Sequence, residues 1–136
     1  SGTGRTVIAS YLIKKFRKSV GIELLDGLYD KSQEILKEIA KEDPEIKKHV
    51  SFIKGSFLEE DFDDADIISI DYPSPNNDIR NALYDRVTKK VKKGTIVLSV
   101  IGLINNPYYR ELGSERFEFS WGGATIYYYV IDDPKI

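Results

Sequence analysis

Residues 1–4 read Ser1-Gly2-Thr3-Gly4 and run straight into a helical apolar pattern. Nineteen positions past Gly4 an acidic residue, Glu23, closes the apolar run Val20-Gly21-Ile22. This order of glycine turn, helix, buried strand and carboxylate restricts the chain to crossover α/β architectures. A glycine turn lets the backbone approach a ligand closely, and the helix behind it offers unpaired N–H groups and a positive dipole end to a carboxylate or phosphate. A carboxylate about twenty residues later, at the end of the next strand, is placed to accept both hydroxyls of a ribose. The pattern is a nucleotide-binding half-site. The strand expected in front of its turn is not among these residues.

At 136 residues, with 41% hydrophobic and 31% charged positions, the chain fits one α/β domain spanning 1–136, long enough to bury a core. No run approaches the eighteen or more apolar residues of a membrane helix, and no membrane association is expected. The absence of cysteine excludes disulfides and thiolate metal sites and agrees with an intracellular location. A single histidine, His49, argues against a His-based metal site or a Ser-His-Asp triad, so no metal is expected, and His49 itself reads as a surface residue. A net charge of −2 supplies no global field for nucleic acid. The clusters Lys14, Lys15, Arg17, Lys18 and Lys89, Lys90, Lys92, Lys93 read as solvated last turns of helices, where cations complement the dipole.

Apolar spacing predicts a helix over 6–16, a strand over 20–24, and a long helix capped by Asp26 and running to Glu42 before Pro44. Strands follow at 50–54 and 67–71. Asp78 is expected to open a helix that closes on Lys93-Gly94 as a glycine C-cap. A β-branched run at 95–100 predicts a central strand. Two strand patterns, 117–121 and 125–131, flank Gly122-Gly123 and predict a terminal hairpin turning on those glycines. The expected fold is a parallel sheet with covering helices and a C-terminal antiparallel β-hairpin.

In doubly wound sheets ligands bind beyond the carboxyl ends of the strands. Four segments of this chain converge there: Ser1-Gly2-Thr3-Gly4, Glu23, Lys54-Gly55-Ser56-Phe57, and Asp71-Tyr72-Pro73-Ser74-Pro75. A dinucleotide fingerprint wants a third glycine three residues after Gly4, for close helix–strand packing, and that position is Val7. The spacing therefore counts against NAD and leaves S-adenosylmethionine as the alternative user of the same geometry. Each residue also has a plainer role: glycines serve ordinary turns, Asp71 can cap a strand end, and the late aromatics can be core.

Gly2-Thr3-Gly4-Arg5, Val20-Gly21-Ile22-Glu23, Gly55-Ser56-Phe57-Leu58, Ile70-Asp71-Tyr72-Pro73 and Ser120-Trp121-Gly122-Gly123 followed by Tyr127-Tyr128-Tyr129 stand in the order of class I methyltransferases. The set resembles the disruptor-of-telomeric-silencing histone lysine methyltransferases over nearly the whole chain. It is also similar, in the glycine turn and acidic strand, to smaller protein-lysine methyltransferases of archaeal and mitochondrial type. The resemblance implies a Rossmann-like class I methyltransferase sheet lacking its first strand, with preceding sequence completing the fold. It implies S-adenosylmethionine as cofactor, held by Ser1, Gly2, Thr3, Gly4, Glu23, Ser56 and Phe57. Gly2 and Gly4 would line the methionine part, Glu23 would take the ribose, and Phe57 would stack on adenine. That family carries an acidic residue where this chain has Ser56, and Asn-Asn-Phe where this chain has Asp71-Tyr72-Pro73.

The implied activity is S-adenosylmethionine-dependent protein-lysine N-methylation, with histones as candidate substrates and a nuclear location if that holds, cytoplasmic otherwise. Asp71, Tyr72 and Pro73 are the expected catalytic residues, Asp71 orienting or deprotonating the substrate amine if burial raises its pKa. Trp121, Tyr127 and Tyr129 are expected to wall a lysine channel, and 105–109 to form a substrate lip. Two alternatives stay open: a catalytically silent binding module, and methylation of a nucleic-acid base or small molecule. Direct nucleic-acid binding by this segment is not expected, because phosphate contacts need a basic surface.

Overall fold

The computed structural model describes residues 1–71, 76–102 and 104–134. They form two compact units, Ser1–Glu60 and Asp61–Ile136.

The first unit is built on two parallel strands, β1 (Ser19–Glu23) and β2 (Val50–Lys54), joined through helix α2 (Asp26–Glu42) and a short 3-10 turn at Pro44–Lys48. Helix α1 (Arg5–Lys14) precedes β1. Ile8 and Tyr11 of α1, Leu36 of α2, Ile46, Val50 and Phe52 make one buried cluster. Apolar residues at Ile35, Leu36 and Ile39 place one stripe of α2 against it. The register pairs Glu23 with Lys54. Ser19 N–H donates to His49 O and Gly55 N–H to Glu23 O, at 2.7 and 3.0 Å. Because backbone groups alternate along a strand, Val20 and Ile22 turn theirs to the opposite edge of β1. There the Ile22 carbonyl accepts from the Ser1 amine at 2.9 Å.

The second unit is a four-stranded sheet in the order β3-β4-β6-β5. Strand β3 (Ile67–Ile70) runs parallel to β4 (Ile96–Ser99), joined by helix α3 (Asn77–Lys90), and the hairpin β5 (Tyr109–Phe119) and β6 (Gly122–Ile131) adds antiparallel strands beside β4. Leu83, Tyr84 and Val87 are the buried residues of α3, and Val97, Ser99, Tyr109 and Tyr129 are their buried counterparts on the sheet. The rings of Tyr84 and Tyr109 meet edge-on at 5.5 Å, and those of Tyr109 and Tyr129 at 5.9 Å.

Several boundaries differ from the sequence expectations. Helix α1 stops at Lys14 because Lys15 adopts a left-handed conformation, with its ammonium over the Tyr11 ring, so Phe16 lies outside the helix. Asp26 sits in the first turn of α2 rather than capping it, and pairs with Lys54 at 2.6 Å. The cap of α3 is Asn76, two residues before Asp78, its side chain accepting from the Asp78 and Ile79 N–H groups. That helix ends at Val91, and Gly94, at φ +87°, serves the following turn instead. Lys92 and Lys93 lie past the helix and pair with Asp66 and Asp133. The hairpin turns on Ser120-Trp121, because Phe119 pairs with Gly122. Gly123 therefore lies within β6, paired with Glu118, and the ends of the Arg116 and Glu118 side chains lie over it. His49 is half-buried, stacked on Tyr11 at 5.2 Å.

Asn76 satisfies two otherwise unpaired donors at the start of α3. Asn76→Ala is expected to lower stability by about 1 kcal/mol, read as a lower urea midpoint at unchanged m-value.

Candidate functional site

Five of the seven residues expected to hold the cofactor, Ser1, Gly2, Thr3, Gly4 and Glu23, meet at the carboxyl end of β1. Gly2 and Gly4 both adopt positive φ, +58° and +82°, which explains glycine at each. Their surroundings differ. A Cβ on Gly4 would land in the Phe52 ring, so this glycine is fixed by packing as well as by conformation. A Cβ on Gly2 would meet nothing within 4 Å, so the turn is open to a ligand there. Gly4 is the N-cap of α1 and no side chain bonds the free N–H groups of that helix end. Such an end favours an anionic group.

Glu23 is a buried carboxylate, 8% exposed. Its Oε2 accepts from the Ser1 amine at 3.0 Å and from Gly2 N–H at 2.6 Å, and its Oε1 from Leu25 N–H at 3.0 Å. Burial is the largest influence on its pKa and pushes it up. The bonds from Leu25, the Ser1 amine and Gly2 together outweigh burial and leave the carboxyl below its ordinary value. A carboxylate has about four acceptor sites. The free capacity is therefore on Oε1, enough for one further hydroxyl. The sequence reading of Glu23 as a bidentate ribose acceptor missed this second duty, which only the fold of the turn onto β1 shows.

The end of β2 lies beside Glu23 through the Gly55 to Glu23 bond. Ser56 Oγ accepts from Leu58 N–H at 3.1 Å, and the Ser56 carbonyl accepts from Glu59 and Glu60 N–H, both at 2.9 Å. Ser56 thus shapes a tight turn, and Phe57 is half-buried within it. The turn returns Glu60 onto Gly55: a Cβ at Gly55 would collide with the Glu60 carboxylate. Glu60 escaped the sequence reading because four intervening residues hide the contact.

In the second unit, Asp71 follows β3 and is exposed, so the burial expected of it is not present. Tyr72 and Pro73 lie outside the described residues. Trp121 stands at the hairpin tip, 69% exposed and stacked on Phe119 at 4.9 Å. Tyr129, by contrast, is core, and Tyr127 is half-buried with its ring against Gly102. Tyr127 and Tyr129 share a face, as alternation requires, but Trp121 is drawn away from them to the turn. Of the expected lip, Tyr109 is a buried member of β5, its hydroxyl donating to the Tyr84 carbonyl at 2.9 Å, while Asn106 ties the 104–108 segment to Asp85 at 3.0 Å. Among the described residues no cluster of metal-ligating side chains occurs, and no helix is long and apolar enough to cross a membrane.

The Glu23 clamp has a pH signature. Because its folded pKa is depressed, its stabilisation is complete above the unfolded value of about 4.3 and is lost as pH falls through the lower folded value. Glu23→Gln should therefore cost about 2 kcal/mol at pH 7. The gap between wild type and variant, followed by urea titration, should hold from pH 7 to about 5 and close at lower pH.

No protein-family model matches the sequence, and no curated protein matches it. Solved structures do. The tRNA (m1A22) methyltransferase TrmK of B. subtilis superposes with a TM-score of 0.76 at 14% identity, over 98% of this chain and 58% of its own. N-methyltransferase NodS from Bradyrhizobium japonicum WM9, solved with S-adenosyl-L-homocysteine, gives 0.70 at 9% identity over 96% of this chain and 74% of its own. Magnesium protoporphyrin IX methyltransferase from Synechocystis PCC 6803, with bound SAM, gives 0.68 at 10% identity over 96% and 66%. The chain spans little more than half the length of the tRNA enzyme. Its two units together carry the Rossmann-like fold of class I methyltransferases.

Proposed function

We propose that this chain is the cofactor-binding part of an S-adenosylmethionine-dependent methyltransferase. The observation that carries the reading is the glycine turn clamped to Glu23, open above Gly2 and backed by the uncapped start of α1. These residues fit the cofactor on the structure's own terms. The open turn and helix end suit the carboxylate of an amino acid, and the remaining acceptor site on Glu23 Oε1 suits a ribose hydroxyl. Phe57, beside the end of β2, offers a ring to the base. The residues named for this role are Ser1, Gly2, Thr3, Gly4, Glu23, Ser56 and Phe57.

When bound, S-adenosylmethionine supplies an electrophilic methyl group on a sulfonium. The protein's part is then to hold the acceptor nucleophile in line and to exclude water, so most of its contribution is positioning. Asp71, at the carboxyl end of β3, is the residue proposed to hydrogen-bond an acceptor amine. The acceptor favoured by the sequence resemblance is a protein lysine, histones included. A nucleic-acid base is the second reading, supported by the Asp71-Tyr72-Pro73 sequence and by the fold likeness to the tRNA (m1A22) methyltransferase TrmK of B. subtilis.

Isothermal calorimetry with S-adenosylhomocysteine should show one site per chain in the full-length protein, and an absence of binding there sinks the proposal. Glu23→Ala should abolish detectable binding. Gly4→Ala should weaken both binding and stability, since it adds about 1–2 kcal/mol for the left-handed backbone to a collision with Phe52. Tritiated methyl transfer onto nucleosomes, free histones and tRNA separates the acceptors, and Asp71→Ala should lower turnover at least tenfold on the true one.

A further inference from the structure

The hairpin of the second unit reaches further than the sheet it belongs to. Strand β4 pairs with β6 only over Tyr127–Val130, whereas β5 and β6 stay paired out to Phe119 and Gly122. Residues 122–126 of β6 and their β5 partners therefore stand beyond the end of β4 as a two-stranded arm, about 17 Å long. Ser99 is opposite both Ile70 and Tyr127, so the arm leaves the sheet at the end where Asp71 follows β3. One face of it carries aromatic rings. Phe117 and Phe119 lie 6.4 Å apart, and Trp121 at the tip is parallel to Phe119 at 4.9 Å. All three are exposed. A lone two-stranded ribbon is marginal in water, and rings that served only to hold it together would face bulky cross-strand neighbours. Phe117 is instead opposite Ala124 and Phe119 opposite Gly122, so the partner strand covers neither ring.

The charge around this row selects its partner. Both cations of the hairpin, Arg110 and Arg116, are ion-paired, with Asp132 and Glu118, each at 3.4 Å. Strand β6 carries no charged residue. Glu115 stands two residues before Phe117 and so on the aromatic face. It makes no ion pair among the described residues and accepts only from the Tyr128 hydroxyl, at 3.3 Å. Bases of single-stranded nucleic acid stack on rows of this kind, but their phosphates need cations and would meet a carboxylate here. A lysine or arginine side chain fits both features. Its alkyl stem covers a ring, and its charged head is drawn to the ring faces and to the carboxylate. Resting on the protein-lysine reading above, we propose that the hairpin tip is a docking arm for a basic segment of the protein substrate. The row Phe117, Phe119 and Trp121 takes a lysine or arginine several residues along the substrate chain from the lysine held at Asp71, and Glu115 supplies the counter-charge.

The test measures fluorescence anisotropy of a labelled peptide of alternating arginine and glycine on the full-length protein at low salt. The same peptide with neutral citrulline for arginine, and oligouridylate, serve as the competing probes. Wild type should bind the arginine peptide at least tenfold more tightly than either. Trp121→Ala and Phe119→Ala should each weaken it about threefold to tenfold, and Glu115→Gln about threefold. Trp121→Phe, which keeps a ring, should fall between wild type and Trp121→Ala. Binding of S-adenosylhomocysteine, followed by calorimetry, should be the same in all of them. Unchanged peptide affinity in Trp121→Ala and Phe119→Ala, or equal binding of the citrulline peptide, overturns the assignment and leaves the cofactor reading standing. So does a preference for oligouridylate that Trp121→Ala removes, which makes nucleic acid the occupant, or a dimer in sedimentation that Trp121→Ala dissolves, which makes it a second copy of the chain. If wild type fails to bind S-adenosylhomocysteine but binds the arginine peptide through Trp121, the cofactor reading fails and the arm stands as a peptide site.

Discussion

The organisation of the first unit depends on one buried carboxylate. Glu23 ends β1, and without partners its burial would cost several kcal/mol. The chain meets that demand with main-chain donors from both sides: Gly2 and the Ser1 amine from the turn, Leu25 from the entry to α2. One ion thereby fixes the start of α1, the end of β1 and the start of α2 at a single point. The direction of its pKa shift records the outcome, hydrogen bonding overcoming burial. Everything proposed about ligand binding is downstream of this clamp, because it sets where the helix end and the open face of Gly2 point.

The second unit uses a neutral counterpart. Tyr84, on α3, brings its hydroxyl to 2.5 Å from Ser99 Oγ, which also donates to the Ile101 carbonyl and accepts from Ile101 N–H. Burial drives the Tyr84 pKa upward, against the Ser99 bond. The hydroxyl stays protonated and serves as donor. Ser99 is the last residue of β4, so this buried bond fixes the direction in which the chain leaves the sheet. Gly102, three residues on, is then pressed against the Tyr127 ring, where no Cβ would fit. In both units a polar group at a strand end, rather than apolar packing, sets the loop geometry.

What the sequence shows follows the same division. Strands β1 to β4 and the three helices were legible because apolar periodicity depends on burial, which a fold of this kind imposes on every element. The cap of α3 was misread by two residues because Asn76 and Asp78 are equally good caps in isolation, and the choice between them lies in where the chain arrives from β3. The hairpin was misread for a related reason. Gly122-Gly123 is a strong turn signal, but both glycines pair across the ladder, Gly122 with Phe119 and Gly123 with Glu118, which leaves Ser120-Trp121 as the turn. The carboxylate at Glu23 was legible from spacing. Its three main-chain donors were not, since they belong to the turn's path and not to any side chain.

The same limit explains Glu60. A motif reading searches for a carboxylate at a fixed offset from the strand end, and the position it inspects holds Ser56. The turn built on Ser56 brings a carboxylate to that strand end from four residues further on, at a place kept clear by Gly55. A side chain can thus reach a strand end from a different point in the sequence, provided the backbone closes the gap. Serine is suited to that closing because its hydroxyl and carbonyl together engage three consecutive N–H groups, of Leu58, Glu59 and Glu60. An acidic residue at 56 would contribute its charge at the strand end directly. Its carboxylate would accept from Leu58 N–H as the Ser56 hydroxyl does, and the bonds from Glu59 and Glu60 N–H to the backbone carbonyl would stand, so the path of the turn is compatible with either side chain.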